Sequence, residues 1–133
     1  MKVTLSEEYA EIGAKLIKEL PEFAYIKNSN VNIAYLSSHQ AKKKGREAIV
    51  HADCNRASNR YDWCCPADFF IVVYEPNIVD FNAEQIETLI RHELHHVGIR
   101  KDSAGEHYYI RPHDLEDFRI IVEECGVDWD KQC

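Results

Sequence analysis

Residues 90–97 read IRHELHHV, and the remainder of the chain is best interpreted around them. The stretch contains the pattern H-E-x-x-H as His92, Glu93 and His96. Residues four apart lie on one face of a helix, so both imidazoles can reach one Zn²⁺ at about 2.0–2.1 Å. Glu93 lies beside them, where it can take a proton from a water on that metal. The pattern therefore predicts a zinc site, provided that the surrounding sequence forms a helix.

The residues before the motif predict such a helix. Asn82 is a typical N-cap, and Gln85, three residues later, completes a capping box. Apolar residues then recur at helical spacing and form a stripe roughly opposite the two histidines. This stripe comprises Ile86, Ile90, Leu94 and Val97. We expect the helix to bury the stripe, to present both imidazoles to a cleft and to end at Gly98.

The composition is that of one ordinary globular domain. The chain has 133 residues, and we expect 1–133 to form a single monomeric domain. A net charge of -7 argues against nucleic-acid binding by bulk charge. The sequence contains no recognisable signal peptide and no apolar run that could span a membrane, so we expect a cytoplasmic protein without a membrane partner.

The five cysteines are an odd number and are interpreted as thiols of a reducing compartment. Together with His51, the residues Cys54, Cys64 and Cys65 could hold a second zinc. Their spacing lacks the paired C-x₂-C of common structural sites, so partly buried free thiols are the favoured interpretation.

The order of elements predicts an α+β domain. An amphipathic N-terminal helix is expected over 4–20, with Thr4 or Ser6 as its cap and Pro21 at its end. Strands are expected over 31–37, 47–53 and 68–75, and a short one over 107–111, while 42–46 is a solvated basic turn. A loop is expected over 101–105, and a final helix begins at Pro112 and ends at Gly126.

A catalytic zinc needs three protein ligands and one open position. The candidates for the third ligand lie downstream of the motif and comprise Asp102, Glu106, His107, His113 and the carboxylates of the last helix. Asp102 has the spacing of the extended pattern H-E-x-x-H-x-x-G-x-x-H, but Gly98 comes one place too early for its glycine. His113, at the start of the last helix, projects away from the apolar stripe of that helix. Position therefore favours His113 and leaves Asp102 and the acidic residues open.

Two motifs carry a resemblance to a known family, namely RHELHH at 91–96 and RPHDLEDF at 111–118. With the preceding apolar strand and the closing ECG at 124–126, the sequence over about 47–126 resembles the putative phage metallopeptidase family. That family is similar in layout to the SprT-like and minigluzincin zinc proteases. The resemblance implies a protein of a bacterium or of a phage-infected host cell. It also implies a compact zincin-like fold, with a small sheet of three or four strands, the H-E-x-x-H helix and a C-terminal helix carrying the third ligand. By the same likeness His92, His96 and His113 are the zinc ligands, and Glu93 is the general base.

The favoured function is a zinc-dependent peptidase in which Glu93 takes a proton from a zinc-activated water and passes it to the leaving amine. Tyr108 or Tyr109 could stabilise the oxyanion, as could His107 or Arg111. One alternative is a zinc hydrolase of a non-protein amide. The other is a partner-binding module with a structural zinc, although no fixed fourth ligand is evident to close such a site.

The expected partner is a protein or peptide substrate in an extended conformation. It could pair with 68–75 if that strand is an edge of the sheet. The apolar residues on both faces of 68–75 favour the opposite arrangement, in which this strand is central.

Overall fold

The computed structural model describes residues 3–44, 48–56 and 67–112. Its helices are α1 (Glu7–Glu19), α2 (Ala24–Lys27) and α3 (Ala83–Leu94), with 3₁₀ turns at Pro21–Phe23 and Glu75–Asn77. Its strands are β1 (Val3–Leu5), β2 (Ile33–Ser38), β3 (Lys43–Lys44), β4 (Ala48–Ile49), β5 (Ala52–Arg56), β6 (Phe69–Tyr74), β7 (Val97–Asp102) and β8 (Gly105–Ile110). The predicted α+β class is confirmed. None of the described helices is both long and apolar enough to cross a membrane.

The main sheet has four strands in the order β1-β2-β6-β5. β1 and β5 are antiparallel to their neighbours, whereas β2 and β6 run parallel. Two further antiparallel ladders, β3-β4 and β7-β8, lie outside this sheet. The expected small sheet of three or four strands is therefore present.

β6 is the centre of the molecule, and all six of its residues are buried. Phe69, Ile71 and Val73 belong to the core cluster that also contains buried residues of α1 and α3. Phe70 and Val72 belong to a second cluster on the opposite face. An edge position for 68–75 is therefore wrong. A strand that is apolar on both faces is buried on both faces. Of the described strands, β5 and not β6 lies at this end of the sheet.

The N-terminal helix is shorter than predicted because its first residues form a strand. Thr4 lies in β1, which pairs with β2, and helix α1 begins after Ser6. The Ser6 hydroxyl accepts a hydrogen bond from the Tyr9 amide at 3.2 Å, which is the predicted capping by Ser6. The helix ends at Glu19, and Pro21 follows its C-cap as expected.

The strand predicted over 47–53 is two strands separated by Val50 and His51. β4 pairs with β3, and β5 pairs with β6. The Asn77 side-chain amide holds the base of the β3-β4 ladder by donating to the Lys42 carbonyl at 2.9 Å and to the Val50 carbonyl at 2.8 Å. No local sequence pattern predicts these two bonds from Asn77. They change the direction of the chain between β4 and β5.

The region after the motif is a β-hairpin, of which only the second strand was predicted. β7 pairs with β8 in register from Val97–Ile110 to Asp102–Gly105, so the expected loop over 101–105 is the end of this hairpin. Gly105 has φ 120, which is the left-handed region that glycine tolerates at a tight turn. The predicted final helix lies outside the described residues.

Candidate metal centre

Helix α3 begins at the predicted capping box. The Asn82 side chain accepts from the Gln85 amide at 2.8 Å, and the Gln85 side chain accepts from the Asn82 amide at 2.9 Å. The helix buries Leu89, Ile90 and Leu94 against β6 and α1 in the main core cluster. This burial fixes the rotation of α3 and so decides which residues of the motif leave the core.

The helix ends at Leu94, earlier than predicted, and His96 lies in the turn that follows. The amide of His96 donates to the Glu93 carbonyl at 3.0 Å, a bond of the 3₁₀ type that tightens the last turn. The expected role of Gly98 as a helix stop is wrong, because Gly98 is a residue of β7. A Cβ there would lie 2.5 Å from the ring of Tyr109, so glycine permits a close approach of the hairpin strands.

The tightened turn still brings the two predicted ligands together. The ring centroids of His92 and His96 are 5.3 Å apart, with 69° between the ring planes. Glu93 is only 4% exposed, and its Oε2 lies 3.9 Å from Nε2 of His92. The three motif residues are therefore neighbours on one side of the turn.

These residues form one wall of a cavity of about 550 Å³. Strand β5 and the segment before it form much of the opposite wall. The lining comprises Lys42, Lys43, Val50, Ala52, Asp53, Cys54, Asn55, His92, Glu93, His96 and Ile110. The cavity is thus bounded by imidazoles, carboxylates and the end strand of the main sheet.

A main-chain carbonyl determines which nitrogen His96 turns to the cavity. The Nδ1–H of His96 donates to the Arg111 carbonyl at 2.7 Å, and the Arg111 amide donates to the His96 carbonyl at 2.7 Å. A carbonyl can only accept, so Nδ1 carries the proton, and in the neutral ring Nε2 keeps its lone pair. Such a bond is the usual support of a metal-binding histidine, and the donor set on this wall suits zinc.

A buried ionic cluster lies behind the same turn, and no local sequence pattern predicts it. Nε and Nη2 of Arg91 donate to the Glu22 carboxylate at 2.9 and 2.5 Å. Glu22 also accepts from Nε2 of His95, and Nη1 of Arg111 lies 3.4 Å from Nδ1 of His95. The four members come from three separate parts of the chain, which is why motif spacing could not reveal them.

The cluster shifts the titration of its members. Burial raises the pKa of Glu22, but the hydrogen bonds from Arg91 and His95 outweigh it, and the net pKa lies below the usual value. Burial lowers the pKa of His95, against the opposing hydrogen bond to Glu22. Glu22 is therefore ionised and His95 neutral near pH 7, which makes His95 a donor at Nε2 and an acceptor at Nδ1.

The predicted third ligand, His113, lies outside the described residues. Of the alternatives, Asp102 lies at the far end of the β7-β8 hairpin, and six residues of strand span about 20 Å from His96. There the Asp102 carboxylate accepts from His107 at 3.0 Å, which helps to lower its pKa, while Glu106 accepts from the Tyr108 hydroxyl at 2.8 Å. Within 3–44, 48–56 and 67–112, no group of three potential ligands converges on one point.

The tyrosines considered for oxyanion stabilisation lie on β8 and are not among the residues that line the cavity. The Tyr108 hydroxyl donates to Glu106, which raises its pKa to about 12, and its ring packs edge-on against Phe69 at 5.9 Å. Tyr109 packs over Gly98 and is 47% exposed. Their assignment to the oxyanion stays a prediction.

Cys54 is a free thiol on the cavity side of β5. Burial, with the nearby charges of Glu93 and Asp53, raises its pKa well above the usual value. The ring of His51 packs on Phe81 with the centroids 4.9 Å apart. Cys64 and Cys65 lie outside the described residues, so the second zinc group that includes them stays untested.

Comparison with known proteins adds one finding. A family model described as "Putative phage metallopeptidase" matches residues 1–133. No curated protein and no solved structure matches the chain.

Proposed function

The chain belongs to the putative phage metallopeptidase family, which implies a metal cofactor, and from this premise we propose that it is a zinc-dependent peptidase. In the proposal His92, His96 and His113 hold the zinc, and Glu93 is the general base. One observation carries the proposal. Two imidazoles 5.3 Å apart share a cavity wall with a buried carboxylate, and one of them is held in the metal-binding tautomer by a carbonyl.

Zinc, when bound, supplies a Lewis acid that lowers the pKa of water and polarises a carbonyl. The residues present fit this ion, because neutral imidazole nitrogens are among its preferred ligands. His92 is fixed by the helix and His96 by Arg111, so two ligand directions are preorganised before any metal binds. His113 completes the three-residue set in this proposal.

Glu93 is the proton carrier in this proposal. It follows His92 directly, lies on the cavity wall and is almost fully removed from solvent. In the proposed reaction its carboxylate takes a proton from the attacking water and returns it to the leaving amide nitrogen. Proton transfer by such a positioned group contributes about 10²–10⁴-fold to a rate.

The substrate in this proposal is an extended peptide that adds to β5. Among the described strands, β5 pairs with β6 along one edge only. Its residues Ala52, Asp53, Cys54 and Asn55 line the cavity opposite the histidines. A peptide paired with this edge would pass beside His92 and Glu93. Main-chain pairing selects for extended shape more than for side chains, so specificity is expected to be loose.

Replacement of Glu93 by glutamine tests the proposal. Glu93→Gln keeps size and removes the base, so it should bind one zinc per chain and lose about 10²–10⁴-fold in the rate of peptide hydrolysis. Glu87→Gln, at an exposed position of the same helix, is the matched control and should keep full activity. The substrate is an unfolded, fluorescently labelled protein, and zinc is counted by atomic absorption.

Equal activity in the wild type and Glu93→Gln would exclude Glu93 as the base. Zinc binding by the wild type, without hydrolysis of any of several unfolded proteins, would favour the partner-binding module.

A further inference from the structure

A chain of hydrogen bonds connects the buried carboxylate of Glu22 with the cavity. The Glu22 carboxylate can only accept and lies against Nε2 of His95, and the Arg111 guanidinium can only donate and lies against Nδ1, so the ring carries its proton on Nε2. Nδ1 of His95 is then an acceptor, and it faces Nη1 of Arg111 at 3.4 Å. Glu22 thereby fixes the tautomer of His95. That tautomer presents Nδ1 as an acceptor to the Arg111 guanidinium.

Arg111 carries the connection from the buried cluster to the predicted ligand. Its carbonyl accepts from Nδ1 of His96, and its amide donates to the His96 carbonyl, both at 2.7 Å. The orientation of the His96 ring therefore depends on the main-chain position of residue 111.

That main-chain position needs a side-chain anchor. Ile110 is the last residue of β8, and Pro112 has no amide proton with which to continue the ladder. The Arg111 guanidinium reaches back to His95 and to the Tyr25 hydroxyl. Tyr25 itself donates to the Val97 carbonyl at 2.6 Å. The segment that contains Glu22 and Tyr25 thus holds both ends of the turn that presents His96.

We propose that Glu22 is a positioning residue of the metal centre, which fixes the orientation and tautomer of His96 through His95 and Arg111. Glu22 is not among the residues that line the cavity, and within the described part of the chain its hydrogen bonds are with Arg91 and His95, so it acts through these partners. The inference rests on the proposed function, because the metal is what the oriented imidazole would hold.

His95→Phe is the variant that interrupts this connection with the least disturbance. Phenylalanine keeps a ring beside Phe23, whose centroid lies 4.8 Å from that of His95, and it leaves the Glu22–Arg91 pair in place. His39→Phe, at an exposed histidine directly after β2, is the matched control. Removal of such outer partners of a metal-binding histidine weakens metal binding by about 10–100-fold. Since His95 is two steps from the imidazole, we expect about a 10-fold loss of zinc affinity, measured by competition with a chromophoric chelator.

The tautomer of His96 provides a readout that needs neither metal nor activity. In the apo protein, nitrogen-15 NMR of the histidine rings should show the His96 proton on Nδ1, and His95→Phe should give a mixture of tautomers. Glu22→Gln, if folded by circular dichroism, should give the same mixture, and His39→Phe should match the wild type.

An unchanged tautomer and unchanged zinc affinity in His95→Phe would overturn the inference, and so would a wild-type His96 with its proton on Nε2. If the wild type binds no zinc at all, the proposed function fails, while the tautomers still decide whether Glu22 orients His96.

Discussion

The two sides of the turn at 91–96 satisfy their polar groups in opposite ways. On one side His92, Glu93 and His96 line a cavity of about 550 Å³. On the other side Arg91 and His95 are buried and bonded to a single carboxylate, that of Glu22. The two sides of the turn therefore have different roles. One side faces a cavity, and the other holds the turn in place through buried ionic bonds.

Arg111 is the residue that belongs to both sides. Its carbonyl bonds to His96 on the cavity side, and its guanidinium lies against His95 in the buried cluster. Perturbations on one side should therefore reach the other through Arg111, but with a smaller effect.

The largest effect is expected from removal of a predicted ligand. His92→Ala, His96→Ala and His113→Ala should each abolish stoichiometric zinc binding, because a three-ligand site that loses one donor no longer encloses the ion. Asp102→Ala should keep one zinc per chain, since Asp102 is bonded to His107 at the far end of the hairpin. Zinc is measured by atomic absorption after dialysis.

Two results would reassign the third ligand. If His113→Ala keeps its zinc and Asp102→Ala loses it, Asp102 is the ligand. If both keep it, the remaining candidates are Glu106, His107 and the carboxylates that follow residue 113 in sequence.

The next largest effect is on stability and arises behind the turn. Glu22→Gln leaves the Arg91 guanidinium buried without its counter-charge, and breaking such a pair costs about 3–5 kcal/mol. Urea unfolding of the apo protein, followed by circular dichroism, measures this cost. Glu19→Gln, at the exposed end of α1, should change stability by less than about 0.5 kcal/mol. Equal midpoints for the two variants would show that the cluster contributes nothing to folding.

The same variant has a predicted pH signature. The pKa of Glu22 is lower in the folded protein than its usual value of 4.5, so its contribution to stability is complete above that pH. The contribution is lost as the pH falls through the folded pKa. The stability gap between the wild type and Glu22→Gln should therefore be present at pH 5 and should narrow as the pH falls below about 4.5. A gap that widens in acid would contradict the assigned direction of the shift.

The separation along the chain between interacting residues decides which features can be predicted from the sequence. The capping box joins Asn82 and Gln85, three residues apart, and the motif joins His92 and His96, four apart, so local spacing is sufficient for both. β6 is predictable because its apolar run needs cover on both faces. Each of these features is encoded within a few residues.

The features that the sequence analysis missed depend on distant partners. β1 has three residues, and only its pairing with β2 makes it a strand rather than the start of α1. β7 contains Arg100, Lys101 and Asp102, a polar run that resembles a loop until β8 pairs with it. Glu22 lies 73 residues from His95, so no motif could join them. A buried carboxylate is visible only once the fold has brought cations around it.

The smallest predicted effect concerns the hairpin that carries Arg111. Gly98 lies opposite Tyr109 in the β7-β8 register, and a Cβ at Gly98 would lie 2.5 Å from the ring of Tyr109. Overpacking of this kind typically costs about 1–3 kcal/mol. Because Tyr109 is 47% exposed and its ring can move outward, Gly98→Ala should fall near the lower limit, about 1 kcal/mol.

A double-mutant cycle with Tyr109→Ala identifies the cause. If the ring is the obstacle, Gly98→Ala should cost almost nothing once the ring is absent, with a coupling of about 0.5–1 kcal/mol between the two changes. An equal cost in both backgrounds would place the strain in the main chain of β7 instead. The cycle also refines the comparison of the two sides, since Tyr109 is two residues from Arg111. If Gly98→Ala displaces the Tyr109 ring and the zinc affinity does not change, the buried cluster alone holds residue 111. If Gly98→Ala lowers the zinc affinity as well as the stability, the hairpin holds residue 111 together with Glu22 and His95.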